Sequence, residues 1–549
     1  MNVSKTAVVN SALWAAYGDA LGFITELADL RTLKYRVRTD KVLDTVAWRR
    51  SIGGRFGASI ELPPGCYSDD TQLRLATSRS IRGDGYFDVE AFAKVELPVW
   101  LSYSLGAGTS TKSAASNLAR LDVNWFSNFF ETKGASYLNA GGNGAAMRIQ
   151  PHVWASSSRS DDQCFRDVFR NAISTHGHPR AIAGAYFHAV CLRSALAERI
   201  VPDPEAWHRT AESFSKISKI IGGDNDLRSF WLPVWEERLK TSVDEALGIV
   251  ARECVRDIES LQPLLRGNPE LSYKEMIEAI GANKPDTRGS GMKTAILGCA
   301  LAWMCKNEPP LRALTIAANL LGSDTDTIAT VAGAILGAVS DTPPRGALQD
   351  RQYIEEEASR LHAISKSERT SSFNYPDLMQ WRPPRTMLDS VGVSSDAVVV
   401  AGLGAAKPFG DKWESRKKDG TCWQWLKLPF GQTILGKQRR ELSQVSSANL
   451  NSSSGVGEKK GELTKMQAQP ELFRVNSYKD SQRETQRRST SRSIDSMTTE
   501  AIKSGFNHDL IGRHLVELAE GPNGIELAIA YTAIIAKAKR ARLQAAKRE

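Results

Sequence analysis

Two short stretches far apart in the chain concentrate oxygen donors. Tyr67-Ser68-Asp69-Asp70-Thr71-Gln72 follows the turn-forming Pro63-Pro64-Gly65 and precedes an apolar run at helical spacing. Gly322-Ser323-Asp324-Thr325-Asp326-Thr327 opens a segment of small and β-branched residues, DTIATVAGAILGAV. Hard divalent cations such as Mg²⁺ take carboxylate oxygens and complete their shells with water and substrate, so two such clusters meeting in space can hold a pair of ions. A paired centre can polarise a substrate oxygen and activate water for hydrolysis. Either cluster alone is equally well read as a helix cap, because Ser or Thr followed by Asp satisfies free N–H groups at helix starts. Two doubled clusters carry more, since burying both pairs without a cation is costly.

Three further motifs accompany them. Gly18-Asp19-Ala20-Leu21-Gly22 ends the first apolar run, with Glu26 about one turn beyond. Gly141-Gly142-Asn143-Gly144-Ala145-Ala146-Met147-Arg148 can bring backbone N–H groups close to a phosphate or ribose, although a lone Gly-rich stretch is more often a tight turn. Thr175-His176-Gly177-His178-Pro179 precedes a small-residue run, so either imidazole can face a ligand or cap a helix.

These pieces must be positioned by helices. Long segments repeat apolar residues at helical spacing, which predicts helices over 5–21, 88–103, 179–198, 311–321 and 326–339 in an all-α region from residue 1 to about 385. The narrow surface of the 326–339 segment predicts a central, buried helix that neighbours approach closely. Residues 386–444 supply β-branched and aromatic residues between glycines and prolines and read as a small β-rich appendage. Residues 445–503, rich in Ser, Gln, Lys and Arg, read as a disordered linker, and 504–549 as a basic helical tail, readable as two helices broken at Gly521-Pro522-Asn523-Gly524.

The 549 residues carry a net charge of +9, which favours an anionic partner without choosing among nucleic acid, phosphate-bearing ligand and acidic protein. Seven scattered cysteines with no CxxC pair argue against a disulfide framework or a thiolate zinc site. The N-terminal stretch lacks a signal-peptide pattern and no apolar run is long enough to span a bilayer, so the expectation is a cytoplasmic protein with no membrane partner.

In order and spacing, GDALG with Glu26, SDDTQ, GNGAAMR, THGHP and GSDTDTIATVAGAILGA resemble the ADP-ribosylglycohydrolase family over about residues 5–385. The resemblance implies a compact all-α domain with two Mg²⁺ ions, or Mn²⁺ in their place, at one end of a cleft for ADP-ribose. It puts Ser68, Asp69 and Asp70 in the first ligand set, with Ser68 replacing the commoner threonine, and Asp324, Asp326 and Thr327 in the second. It assigns Gly142, Asn143, Gly144, Met147 and His176 to the substrate, and makes Glu26 the flexible acidic residue near the metals. Arg148 is expected to support the loop. The catalytic set is then Asp69, Asp70, Asp324 and Glu26, with one of the three aspartates as base, and the partner an ADP-ribosylated protein or other ADP-ribosylated acceptor. Two alternatives stand beside this reading: an inactive ADP-ribose-binding or structural protein of the same fold, and a nucleic-acid-associated protein acting through the basic tail.

Overall fold

The computed structural model describes residues 3–417, 419–451, 494–520, 527–528, 531–536 and 538–539. The chain divides into two compact units, Met1–Glu458 and Lys459–Glu549.

The first unit is organised around two helices, Lys5–Thr25 and Thr325–Val339. Both are apolar on nearly every side, the pattern of helices with no solvent face, and both are almost wholly buried. They run antiparallel in close contact, because glycines remove the side chain wherever the axes would collide. A Cβ on Gly18 would stand 2.5 Å from the Ala329 carbonyl oxygen, and one on Gly22 would stand 2.5 Å from Asp326 Cα. From the other side Gly333 meets the Trp14 backbone and Gly337 that of Asn10. The contacts recur every four residues on both helices, as the i±4 rows of two interlocking helices require. This pairing places the Asp19 turn beside the start of the central helix, and Thr325 Oγ1 donates to the Gly22 carbonyl at 2.9 Å.

Helices Pro179–Glu198 and Gly291–Met304 complete the surround. Gly184 lies against Gly291, and Gly298 against Val331. Helical spacing locates Pro179–Glu198 to the residue and Pro310–Asn319 to within two. The expected 88–103 helix is broken into Val89–Ala91, a π-type turn Phe92–Glu96, and Leu97–Trp100. Pro98 has no N–H to give the Lys94 carbonyl. The Trp381 indole supplies the missing donor at 2.8 Å.

A hairpin of Trp48–Ile52 and Ala58–Leu62, turning through Gly53 and Gly54 at positive φ, interrupts the otherwise helical first 385 residues. Its first strand carries Arg49 and Arg50 side by side and does not alternate, but the second sets buried Ala58, Ile60 and Leu62 against Ser59 and Glu61, a strand signal that the helical reading of this region passed over. Strands of the β-rich segment run from Val391 to Arg439 as two separate three-stranded antiparallel sheets. Ser395 and Asp396 turn the first hairpin, both at positive φ, the geometry of a two-residue I′ turn. Trp381, Val391, Trp423, Trp425 and Leu426 join the same apolar core as the helices.

The stretch expected as linker is ordered at both ends. Asn449 bonds the Arg382 backbone in both directions, at 3.1 and 2.7 Å, and Ile494–Lys503 is helical. Met497 and Ala501 fall on one helical face and pack with Phe506, Leu518 and Tyr531, which a composition-based reading of a Ser- and Arg-rich stretch overlooks. The central part of the expected linker, the expected Gly521–Gly524 break and the basic last turns lie outside the described residues. The second unit also contains His508–Ala519, with His514 Nδ1 2.7 Å from the Tyr531 hydroxyl.

Candidate active site

Helix N-termini deliver both acidic clusters to one cleft. Ser68 caps the Asp69–Arg79 helix, its hydroxyl accepting from Asp70 N at 3.2 Å. Asp324 caps the central helix, Oδ1 accepting from Thr327 N at 3.3 Å. The capping reading therefore holds for both clusters, and it leaves their carboxylates facing one space. Thr327 Oγ1 lies 3.4 Å from Asp70 Oδ1, so the clusters meet although 257 residues separate those two groups in sequence.

The cleft, of about 250 Å³, is lined by Glu26, Asp69, Asp70, Asp324, Asp326 and Thr327, with Gly142, Asn143, Gly144, Met147 and His176 on the adjoining wall. Every site residue expected from the sequence is thus at the cleft except Ser68, which is buried in its capping role behind it. Asn143 ties the walls together: Nδ2 donates to Asp324 Oδ2 at 2.7 Å, and its backbone N–H donates to the Gly289 carbonyl at 2.8 Å. Arg148 supports the loop as expected, donating to the carbonyls of Gly144 and Asn171 at 2.6 and 2.9 Å and to Thr175 Oγ1 at 2.7 Å. The two histidines divide the roles left open. His178 Nδ1 caps the following helix by accepting from Arg180 N at 3.1 Å. His176 faces the cleft, and burial, with Arg148 nearby, pushes its pKa down to about 3, so it is neutral at physiological pH.

Glycines keep the cleft open. A Cβ at Gly106 would stand 3.1 Å from Asp69 Oδ1 and 3.3 Å from Glu26 Oε2, filling the space between those carboxylates. One at Gly144 would stand 2.7 Å from Thr111 Oγ1 and 2.8 Å from His176 Cε1.

Burial raises the carboxyl pKa of Asp69, Asp70 and Asp326 well above the ordinary range, and the neighbouring negative charges raise it further. Glu26 is also raised by burial, opposed by Arg50, whose guanidinium donates to Glu26 Oε2 at 2.8 Å. Asp70 Oδ2 is buried and has no hydrogen-bond partner. Among the described residues no three acidic, histidine or cysteine side chains form a ready-made cage. The donors stand as carboxylate pairs on facing helix ends with hydroxyls between them, an arrangement suited to a small hard cation that retains several waters.

Four contributors were given no role in the site from the sequence. Asp19, fully buried, accepts from Ser68 N at 2.9 Å, Thr71 N at 2.8 Å and Thr71 Oγ1 at 2.5 Å, fixing the backbone that presents Asp69 and Asp70. Arg50 holds Glu26, while Gly106–Thr111 and Arg288–Gly289 supply further walls. GDALG contained Asp19, and the glycines and hydroxyls of GAGTST were a usable signal for the second wall. Nothing in sequence pairs Arg50 with Glu26. Replacing Asp19 by Asn keeps the shape but turns an NH₂ toward donors, so a loss of about 2 kcal/mol is expected by denaturant titration.

The family model for ADP-ribosylglycohydrolase matches residues 6–370. The chain belongs to the ADP-ribosylglycohydrolase family. Hydrolysis of ADP-ribose linkages is the general activity that membership carries. The chain is 24% identical over 353 residues to the uncharacterized protein YegU of Escherichia coli (strain K12), covering 61% of this chain and 88% of that one. It is 27% identical over 339 residues to the ADP-ribosylhydrolase ARH3 of Bos taurus, 59% of this chain and 82% of that one. Over 167 residues it is 28% identical to the ADP-ribosyl-[dinitrogen reductase] glycohydrolase of Rhodospirillum rubrum, 30% of this chain and 50% of that one. A solved structure named ADP-ribosylglycohydrolase-related protein complex is similar with a TM-score of 0.40 and 22% identity, over 66% of this chain and 98% of that one. The seven cysteines are buried and free, and among the described residues no helix is long and apolar enough to cross a membrane.

Proposed function

We propose that this cleft hydrolyses the glycosidic bond between ADP-ribose and a modified acceptor, with a pair of Mg²⁺ ions held by Asp69 and Asp70 on one side and Asp324, Asp326 and Thr327 on the other, while Ser68 fixes the first pair from behind as its cap. The observation that carries the reading is Asp70 Oδ2, buried and unpartnered among carboxylates that raise one another's pKa. Such a group calls for a cation. When bound, the ions would supply Lewis-acid polarisation of ribose hydroxyls and a lowered pKa for the attacking water.

The chain's own residues supply the rest. Asn143 and the backbone of Gly142–Gly144 line the wall that would receive the ribose and phosphates, and neutral His176 can donate or accept there without adding charge. Asp69, Asp70 or Asp324 takes the proton of the attacking water, since each reaches the cleft. Glu26 stands at the same space and is steadied by Arg50. An ADP-ribosylated protein is the proposed partner, with other ADP-ribosylated acceptors served by the same chemistry.

Chelation should abolish release of ADP-ribose, Mg²⁺ should restore it, and Mn²⁺ should substitute; release indifferent to chelator would remove the metal from this reading. A pH signature follows as well. Asp69, Asp70 and Asp326 have folded-state pKa values raised above the ordinary 3.8, so between those limits the folded state binds more protons than the unfolded one. The metal-free chain is then stabilised at and below about pH 4 and loses that stability as pH rises through the raised values. Mg²⁺ should flatten the loss. Melting curves from pH 4 to 8 with chelator and with Mg²⁺ test this, and parallel curves would speak against it.

A further inference from the structure

The sheet of Lys407–Glu414, Thr421–Lys427 and Thr433–Arg439 lies beyond the residues matched by the family model, yet it touches the supports of the cleft by two separate routes. The first runs through Asp350. Its carboxylate, only 2% exposed, accepts from Thr433 N at 2.7 Å and lies 3.4 Å from Lys427 Nζ, both in or at the ends of the sheet's strands. The same oxygen, Oδ2, accepts from the Tyr67 hydroxyl at 2.8 Å. Gln349 Nε2 adds a bond to the Thr433 carbonyl at 2.9 Å, and its backbone N–H donates to the Gly65 carbonyl at 3.0 Å. Tyr67 is fully buried and immediately precedes Ser68, Asp69 and Asp70. An anchored aromatic at that position sets where the following turn enters the cleft.

The second route runs through the Trp48–Leu62 hairpin. Gly53 at its turn sits on the Trp423 indole, where a Cβ would stand 2.5 Å from the ring. The Phe56 carbonyl accepts from Arg416 N and from Ser415 Oγ, both at 3.0 Å. On the same hairpin Arg50 lies over the Phe23 ring, 4.3 Å from its centroid, and bonds Glu26. The sheet therefore braces the strand whose arginine holds the acidic residue on the cleft's other side.

We propose that this C-terminal sheet is a positioning element of the active cleft, setting the Ser68–Asp70 turn through Asp350 and Tyr67, and Glu26 through the hairpin and Arg50. The inference rests on the proposed metal-dependent reading of the cleft. It makes Asp350 and Trp423 positioning residues, which act through Tyr67 and Arg50 and touch neither substrate nor cation. The consequence is a division of labour: the Asp350 route bears on the cation, and the Trp423 route bears on the ligand placed beside Glu26.

The test uses the full chain and three variants: Asp350→Ala, which removes the oxygen shared by Tyr67 and Thr433, Trp423→Leu, and Asn449→Ala, which breaks the Arg382 bonds in the same C-terminal region away from both routes. Mg²⁺ alone is titrated against the melting temperature, and ADP-ribose is titrated by calorimetry at saturating Mg²⁺. Asp350→Ala should raise the half-saturating Mg²⁺ concentration by about 10–100-fold, the usual cost of losing an outer-shell support. Trp423→Leu should weaken ADP-ribose binding several-fold at unchanged Mg²⁺ half-saturation, and Asn449→Ala should lower the melting temperature while moving neither. Folded Asp350→Ala and Trp423→Leu chains with wild-type titrations would overturn the inference, as would shifts in all three variants that merely track stability. A wild-type chain that takes up neither Mg²⁺ nor ADP-ribose overturns the proposed function, and the inference with it.

Discussion

Asp324→Asn is expected to reduce ADP-ribose release by at least about 10³-fold, above the 10–100-fold typical of losing an outer-shell partner of a metal site. The side chain does three things: Oδ1 caps the central helix at Thr327 N, Oδ2 accepts from Asn143 of the adjoining wall, and the charge completes the second carboxylate pair. Asparagine retains the capping oxygen and removes the charge, and a flip of the Asn143 amide turns its oxygen toward the new NH₂, a freedom that the backbone donors around Asp19 lack. It also relieves repulsion on Asp70 and Asp326, whose protonation Asp324 promotes. The folded state should therefore keep its stability while activity disappears. Asp324→Ala should lose activity equally and give up about 1 kcal/mol with the cap. Side-by-side melting and initial-rate measurements separate the two effects, and substantial activity in the asparagine variant would show that the second cluster is only a cap.

Gly22→Val should be the most destabilising small substitution near the cleft, by about 3 kcal/mol or more. Its first added carbon would press on backbone, the Thr325 carbonyl and Asp326 Cα, which no rotamer change can move aside. The helices must separate or the central helix must slide. Either response carries Asp326 with it, so surviving folded protein should also need more Mg²⁺ for half-saturation. Denaturant titration reads the first effect and Mg²⁺ titration the second. A mild loss of stability would mean that the two helices are held less tightly than their glycine contacts require.

The helical scaffold was legible because its signals are local. A helix with no polar face, such as Thr325–Val339, announces burial, and Ala and Gly at spacings of four announce close approach. The acidic clusters were legible for the same reason, since SDDT and GSDTDT each fall within one turn of a helix start. Pairs made by tertiary folding were not legible. Arg50 with Glu26, Asp350 with Tyr67 and Trp381 with the Lys94 carbonyl join residues 24 to 287 positions apart, and no spacing rule marks them. The Trp48–Leu62 hairpin escaped because only its second strand alternates, over five residues, while Arg49 and Arg50 break the pattern in the first. The β-rich character of 386–444 was visible in composition, but the way its sheet braces the cleft depends on single contacts such as Thr433 N to Asp350.

The decisive measurement is release of ADP-ribose from arginine-, serine- and nucleic-acid-linked substrates, with Mg²⁺ and with chelator, by the wild-type chain and Asp324→Asn. Mg²⁺-dependent release from at least one class, lost in the variant, is the expected result and names the acceptor. No release from any class, with ADP-ribose still bound in the cleft, would contradict hydrolysis and leave a binding protein built on the same fold.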